Sequence, residues 1–458
     1  MGDRHAIGEF DAPVEPSVGR RASLDQGADR SVLWRGRSTA DGAATGAAPR
    51  RRRLGLGVAW AVAVVAVLAA VTRDAATKLW WTDAVAMEDL DVYRRAGQAV
   101  LDASPVYEPA GSQLVFTYPP PAALAAVPLA PLPQRAAYLL WTAAQVAVLA
   151  WLVWISFAPL LRRWSRDRQV AAAGLLTAVA LVTVPLNSNL ELGQVNVLLA
   201  GLVVADLLPR RRRLPQGVLV GLATACKLVP GLFIVYLLAV RRWRAAAVAV
   251  TSFLVVNLVA WLVLPDSVGR YWTAELWATE RIGSLDYTSN QSVRGMLERV
   301  APLAGRPAVW LLLVAAVTIV GLGRAVLAHR RGDELAAITL VGLVGVLVSP
   351  VGWIHHLVWF VPALGLLVGD GRDRRRVGSA LVVTALLVVR LPWMAADALA
   401  GLGAGTDALL RPPLTAIEST YGLLALACVL VGPVPRRWRP SSTGAARDAP
   451  VPMVRPPR

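Results

Sequence analysis

Apolar runs of about 17–22 residues, each long enough to cross a ~30 Å hydrocarbon core as one helix, recur along this chain. Arginine clusters separate them, at 50–53, 162–168, 210–213, 241–244, 330–331, 372–376 and 436–439. A membrane barrel would instead give short segments of alternating hydrophobicity. The expected fold class is therefore an all-α integral membrane protein. At 458 residues and 56% hydrophobic, the chain can form many spans.

The arginines also set the expected orientation. Positive charge collects in short cytoplasmic loops, so placing every cluster inside leaves alternate loops outside. The spans then read as 54–72, 136–159, 170–186, 190–208, a hairpin of two short helices over 216–240, 244–264, 307–328, 335–349, 355–369, 378–393 and 416–434. This gives about 12 transmembrane segments with both termini cytoplasmic. Residues 1–53 and 435–458, rich in Arg with Gly, Ser or Pro, read as disordered cytoplasmic tails around a membrane domain at 54–434. A net charge of +17 would suggest nucleic acid for a soluble protein, but its distribution between apolar runs points to topology and excludes that partner. Cys226 and Cys428 lie in apolar segments, so no disulfide framework is expected, and no Cys/His spacing suggests a metal.

Two outer loops, 73–135 and 265–306, are longer than a connector needs. Within the first, Leu90, Val92, Tyr93, Ala96 and Val100 fall at helical spacing, which predicts a short interfacial helix over 89–103. Pro119–Pro121 predict the start of another.

Unusual polar residues gather in these loops and at span ends. Asp89 and Asp91 sit beside an apolar run, where a carboxylate is costly unless used. Such a group, its proton affinity raised by apolar surroundings, suits a general base; a solvated helix N-terminus is the plainer alternative. Tyr93 and Tyr118 could shape a cleft, and Gln194 and Asn196 at an outer turn could bind sugar hydroxyls or only cap the turn. Lys227, at the bend of the 216–240 hairpin, requires an anion: a lipid phosphate or a structural carboxylate. Asn290 and Gln291 read as exposed polar groups of the kind that bind glycans, with an ordinary amphipathic loop as the plainer alternative. Trp353 with His355 and His356 could steady a leaving phosphate or orient the base; interfacial aromatics are the alternative.

In order, the chain carries Asp-Leu-x-Val-Tyr (89–93), Phe-Thr-Tyr-Pro-Pro (116–120), Gly-Gln-Val-Asn (193–196), Lys-x-x-Pro (227–230) with Arg-Arg-Trp (241–243), Tyr-Trp (271–272), Asn-Gln-Ser (290–292) and Ser-Pro-x-x-Trp-x-His-His (349–356). This series resembles glycosyltransferase family 87 of actinobacteria, from about residue 85 to 365. The resemblance implies a GT-C-type helical bundle with catalytic loops facing outward. It implies α-mannosyltransferases that take mannose from a polyprenyl-phosphate donor and extend phosphatidylinositol mannosides, lipomannan and lipoarabinomannan. It selects Asp89 over Asp91 as the catalytic acid of the motif. Pro121 departs from the family pattern, where an aromatic usually follows Tyr-Pro-Pro.

The expected reaction is an inverting hexose transfer on the extracytoplasmic face of the plasma membrane, to a glycolipid or lipoglycan acceptor. Asp89 would deprotonate the acceptor, while Lys227, His355 or His356 would stabilise the departing phosphate. The scheme calls for no cofactor beyond the lipid-linked donor and no metal. The rival expectation is a transporter of lipid-linked sugars, which should show paired broken helices in two related halves.

Overall fold

The computed structural model describes residues 61, 63–66, 87–107, 114–208, 213–300, 305–402 and 409–432. Expectations for the tails and for most of span 54–72 lie outside these residues. The described residues form helices, joined by one isolated antiparallel bridge between Asn290 and Trp353.

Two short helices come first: α1 (Glu88–Leu101) and α2 (Pro120–Ala126). The short helix predicted over 89–103 is α1, and Pro120 at the first turn of α2 starts the second as expected, because its missing N–H is an orphan there anyway. Then follow α3 (Gln134–Ser156), α4 (Arg166–Val182), α5 (Val184–Glu191), α6 (Asn196–Leu207), α7 (Val218–Cys226), α8 (Leu232–Ala239) and α9 (Trp243–Val263). The second long loop, 265–306, holds α10 (Pro265–Arg270), a π-turn at Tyr271–Glu275 and α11 (Val293–Glu298). The chain continues through α12 (Pro307–Arg330), α13 (Glu334–Val348), a 3-10 turn at Ile354–Trp359, α14 (Phe360–Val368), α15 (Arg374–Val388), α16 (Leu391–Gly401), α17 (Arg411–Glu418) and α18 (Thr420–Val431).

The expected count of about 12 crossings is not confirmed. Among the described residues three helices, α3, α9 and α12, are long and apolar enough to span a bilayer, or up to six spans if each bent pair counts as one. The pairs are α4 with α5, bent by 77°, α15 with α16, by 49°, and α17 with α18, by 70°. Hydropathy is blind to these bends. It is equally blind to the shortness of α6, whose 12 residues rise only about 18 Å at 1.5 Å each.

Shortness and burial go together. Every residue of α13 from Ala336 to Leu347 is buried, making it the axis of the core. By contrast, α9 and α12 present Leu254, Leu258, Leu262, Leu312 and Ile319 outward, the faces expected to meet lipid. The hairpin at 216–240 is two short helices broken at Lys227, as predicted. Gly217 and Gly221 let α7 approach the backbone of α9 so closely that a Cβ would lie 2.1 Å from the Ala245 carbonyl oxygen and 2.4 Å from that of Ala249. The buried Asp206 carboxylate accepts from the N–H groups of Gly217 and Val220, capping α7 from a neighbouring helix.

Candidate active site

Because α6, α7, α13 and the turn before α14 are short, their polar ends meet in one recess roofed by α1 and α2. Asn196 starts α6, Lys227 ends α7, and Ser349 ends α13. His355 and His356 lie in the turn before α14.

Asp89 is held by its backbone. Met87 sits in the left-handed region, and the Met87 and Asp89 N–H groups donate to the carbonyls of Glu191 and Leu192, at 2.9 and 3.0 Å. Gly193 makes this docking possible. Its φ is +70°, and a Cβ there would lie 2.6 Å from the Leu90 Cβ. The Gly193 turn is pinned in turn by Trp141, whose indole N–H donates to its carbonyl at 2.7 Å.

Gln194 follows directly and links the whole site. Its Nε2 donates to Asp89 Oδ2 at 2.6 Å, while its Oε1 accepts from the Tyr118 hydroxyl at 3.0 Å and the Tyr93 hydroxyl at 3.3 Å. Asn196 Nδ2 also reaches Oε1, at 3.3 Å. Asn196 Oδ1 accepts from the Lys227 ammonium at 2.9 Å, and Lys227 Nζ lies 2.9 Å from His356 Nε2 and 3.4 Å from the Tyr118 hydroxyl. An ammonium donating to Nε2 requires a neutral imidazole with its proton on Nδ1.

The frame separates groups that face the recess from groups that support them. Asp89, Tyr118, Lys227 and His356 keep partial exposure. Tyr93, Gln194, Asn196 and His355 are buried behind them. Asp89 Oδ1 hydrogen-bonds to no described residue, which leaves it free to accept a proton. Burial raises the Asp89 carboxyl above the usual carboxylate range; the Gln194 hydrogen bond and the Lys227 charge oppose the rise, and Glu88 adds to it. Burial also pushes the Tyr93 and Tyr118 hydroxyls up, so both remain donors.

Lys227 has no carboxylate partner among the described residues; its contacts are Asn196, His356, Tyr118 and the Tyr118 ring, 5.1 Å from Nζ. Among the described residues no carboxylate touches Lys227, and Asp89 acts on it only through charge across the frame. From Lys227, Asn196 and His356 a narrow apolar cavity runs between α6, α8 and α13, past Leu199, Val203, Phe233 and Val341.

Asp91 points elsewhere. It accepts from the Tyr138 hydroxyl at 2.6 Å and from Arg94 at 3.3 Å, tying α1 to α3. His355 packs edge-on against His356 with ring centroids 4.8 Å apart, and neither of its ring nitrogens finds a hydrogen-bond partner.

The expected exposure of Asn290 and Gln291 is wrong. Both are 0% exposed, with side chains bonded to protein backbone. Asn290 Nδ2 donates to the Leu285 carbonyl and its Oδ1 accepts from the Gly352 N–H, both at 2.9 Å. Gln291 Nε2 donates to the carbonyls of Thr288 and Glu418. The Asn-Gln-Ser segment therefore braces the loop before the histidines, and Trp353 packs on Tyr287 beside it. Sequence reasoning missed Gln145 and Asn189, buried and joined at 2.5 Å, which support Asn196 at 3.2 Å. An uncharged amide in the middle of an apolar run was the available signal.

The apolar helices and the recess lined by an acid, amides and an ammonium mark a membrane protein with a polar site among its helices. The model of glycosyltransferase family 87 matches residues 116–350, and the chain belongs to that family. It is 36% identical over 331 residues to a polyprenol-phosphate-mannose-dependent alpha-(1-2)-phosphatidylinositol mannoside mannosyltransferase of Mycobacterium tuberculosis, covering 68% of this chain and 77% of the relative. A protein of the same description in Mycolicibacterium smegmatis is 37% identical over 338 residues, covering 66% and 74%. A polyprenol-phosphate-mannose-dependent alpha-(1-2)-phosphatidylinositol pentamannoside mannosyltransferase of Mycobacterium tuberculosis is 37% identical over 288 residues, covering 61% and 65%. No solved structure matches the chain. The protein is a glycosyltransferase, and the transporter alternative finds no support.

Proposed function

We propose that this protein transfers mannose from polyprenyl-phosphate-mannose to a phosphatidylinositol-mannoside-type glycolipid, forming an α-(1→2) linkage on the extracytoplasmic face. The observation that carries this reading is one frame with a base at one end and, at the other, an ammonium that touches no carboxylate among the described residues. Asp89 connects through Gln194 and Asn196 to Lys227 and His356. The donor and acceptor classes come from the relatives' activities.

In this mechanism Asp89 removes the proton from an acceptor hydroxyl, whose oxygen attacks C1 of mannose. The C1–O bond to phosphate breaks, and polyprenyl phosphate departs. A β-linked donor then gives an α-linked product by one inverting displacement. Lys227 and His356 meet the phosphate charge as it develops, so the leaving group needs no proton. The apolar cavity below Lys227 suits the first carbons of the lipid. Tyr118, a buried-side donor next to Lys227, orients the same phosphate or the sugar. Asn290 and Gln291, fully buried, brace the histidine loop, and Trp353 packs on Tyr287 beside it. The scheme runs without a metal or further cofactor.

The test is transfer by Asp89→Asn and Lys227→Met in reconstituted vesicles given polyprenyl-phosphate-mannose and a phosphatidylinositol mannoside. Asp89→Asn should abolish transfer while retaining donor binding, and Lys227→Met should weaken donor binding. Full activity in Asp89→Asn removes the base assignment; unchanged donor affinity in Lys227→Met removes the phosphate seat.

A further inference from the structure

The bend between α17 and α18 lies beyond the residues matched by the family model, yet it is bonded into the frame of the site. Glu418, the last residue of α17, is 7% exposed. Its Oε1 accepts from the Thr288 hydroxyl at 2.8 Å, and its Oε2 lies 3.9 Å from Arg299 Nε. Arg299 is buried too, and its guanidinium donates to the carbonyls of Asn290 at 2.9 Å and Tyr287 at 3.2 Å and to Ser419 Oγ at 3.0 Å. Gln291 closes the bend itself, donating to the Glu418 carbonyl at 2.9 Å and accepting from the Gly422 N–H at 2.8 Å. These are backbone groups that a 70° bend would otherwise leave unpaired.

The same short segment faces the histidine loop on its other side. Gln291 N–H donates to the Gly352 carbonyl at 2.8 Å, the Gly352 N–H donates to Asn290 Oδ1 at 2.9 Å, and Ser292 Oγ donates to the Pro350 carbonyl at 3.2 Å. Gly352 leaves no slack, since a Cβ there would lie 2.6 Å from the Val346 carbonyl oxygen. One residue on, the Trp353 carbonyl accepts from the His356 N–H at 2.8 Å, and His356 Nε2 meets Lys227.

We propose that Glu418 and Arg299 are positioning residues for sugar transfer: they lock residues 288–292 against 350–352, and that lock sets His356 at Lys227. This rests on the reading of Lys227 and His356 as the seat of the departing phosphate. A buried ion pair placed only for stability would not require contacts that converge on one active-site loop.

A double-mutant cycle tests it, with purified full-length protein, polyprenyl-phosphate-mannose and a phosphatidylinositol mannoside. Glu418→Ala should lower kcat by on the order of 10–100-fold, the scale of a small misplacement of a catalytic group. KM for the acceptor should stay within about twofold, since only transition-state contacts are lost. In a His356→Ala background the same change should cost less than about threefold, because its target is gone. Equal losses in both backgrounds overturn the relay and leave Glu418 as ordinary core. Wild-type turnover in His356→Ala alone overturns the phosphate seat and the relay with it. Should Glu418→Ala fail to fold, Glu418→Gln keeps the volume and the Thr288 contact and removes only the charge facing Arg299. Wild-type kcat in Glu418→Gln also overturns the proposal.

Discussion

Asp89 and Asp91 are two residues apart and do different work. Asp91 is committed to Tyr138 and Arg94, whereas Asp89 gives one oxygen to Gln194 and keeps the other free of hydrogen bonds among the described residues. Asp89→Asn should therefore lower kcat by about 10²–10⁴-fold, the usual worth of a general base. Burial raises the Asp89 carboxyl, so its charged form costs stability above the unfolded-state pKa; that cost grows as pH rises through the folded-state pKa. At neutral pH the Asn variant should melt no lower than wild type, and a clearly lower melting temperature would count against this account. Asp91→Asn should leave kcat nearly intact and cost about 1 kcal/mol through its lost hydrogen bonds, measured by thermal melting. The base must be ionised, so kcat/KM should fall on the acid side, beginning above the pH expected of an ordinary carboxylate. Gln194→Leu removes a bond that favours the carboxylate and should move that acid limb to higher pH. A pH profile of kcat/KM that moves the other way would separate the limb from Asp89.

At the scale of elements, the site depends on how close α1 comes to α2. Gly97 is the contact point, and a Cβ there would lie 2.7 Å from the Ala126 carbonyl oxygen, which as backbone cannot yield. Gly97→Val should cost about 1–3 kcal/mol as overpacking and lift α1, and with it Asp89, from the Gly193 turn. Melting temperature and kcat should fall together, and wild-type values of both would show that the roof is not held at this point. Much at this scale was legible in the chain. Apolar spacing from Leu90 to Val100 marked α1, Pro119–Pro121 marked the start of α2, and Lys227 marked the break between α7 and α8. The bends were not legible. Thr183, with ψ of 141°, interrupts α4 and α5 inside a stretch whose hydropathy is continuous. The role of Asn290 and Gln291 was not legible either, because their partners are carbonyl and N–H groups of residues as distant as Gly352 and Gly422. Amide side chains look alike in sequence whether they will face sugar or backbone. Lys227 was ambiguous for the same reason, and only the positions of Asn196 and His356 decide between a carboxylate and an open anion seat.

At the scale of the molecule, arginine-bearing turns meet at the ends of α3 and α13 remote from the site. The Arg163 guanidinium donates to the Asp370 carbonyl at 2.6 Å, so two arginine-bearing turns lie side by side. Arg242 makes a paired contact with Glu334 at 2.9 and 3.0 Å, joining the turn after α8 to the start of α13. Helix α13 leaves that basic turn and ends at Ser349, beside the loop that carries His355 and His356. Helix α3 starts at Gln134, next to Asp91, and runs to the basic turn that holds Arg163. Each of these two helices thus has a basic end and an end at the site. If arginine retention orients the bundle, the Asp89 recess opens to the outside and meets a donor whose sugar is displayed there. The orientation is open to a direct check in a background with Cys226 and Cys428 replaced by Ala. Asp102→Cys, exposed at the end of α1, should react with a membrane-impermeant maleimide in intact spheroplasts. Asp370→Cys, exposed in the basic turn, should react only after permeabilisation. The reverse labelling pattern would turn the protein over, placing Asp89, Lys227 and His356 on the cytoplasmic face and requiring a donor displayed on that side.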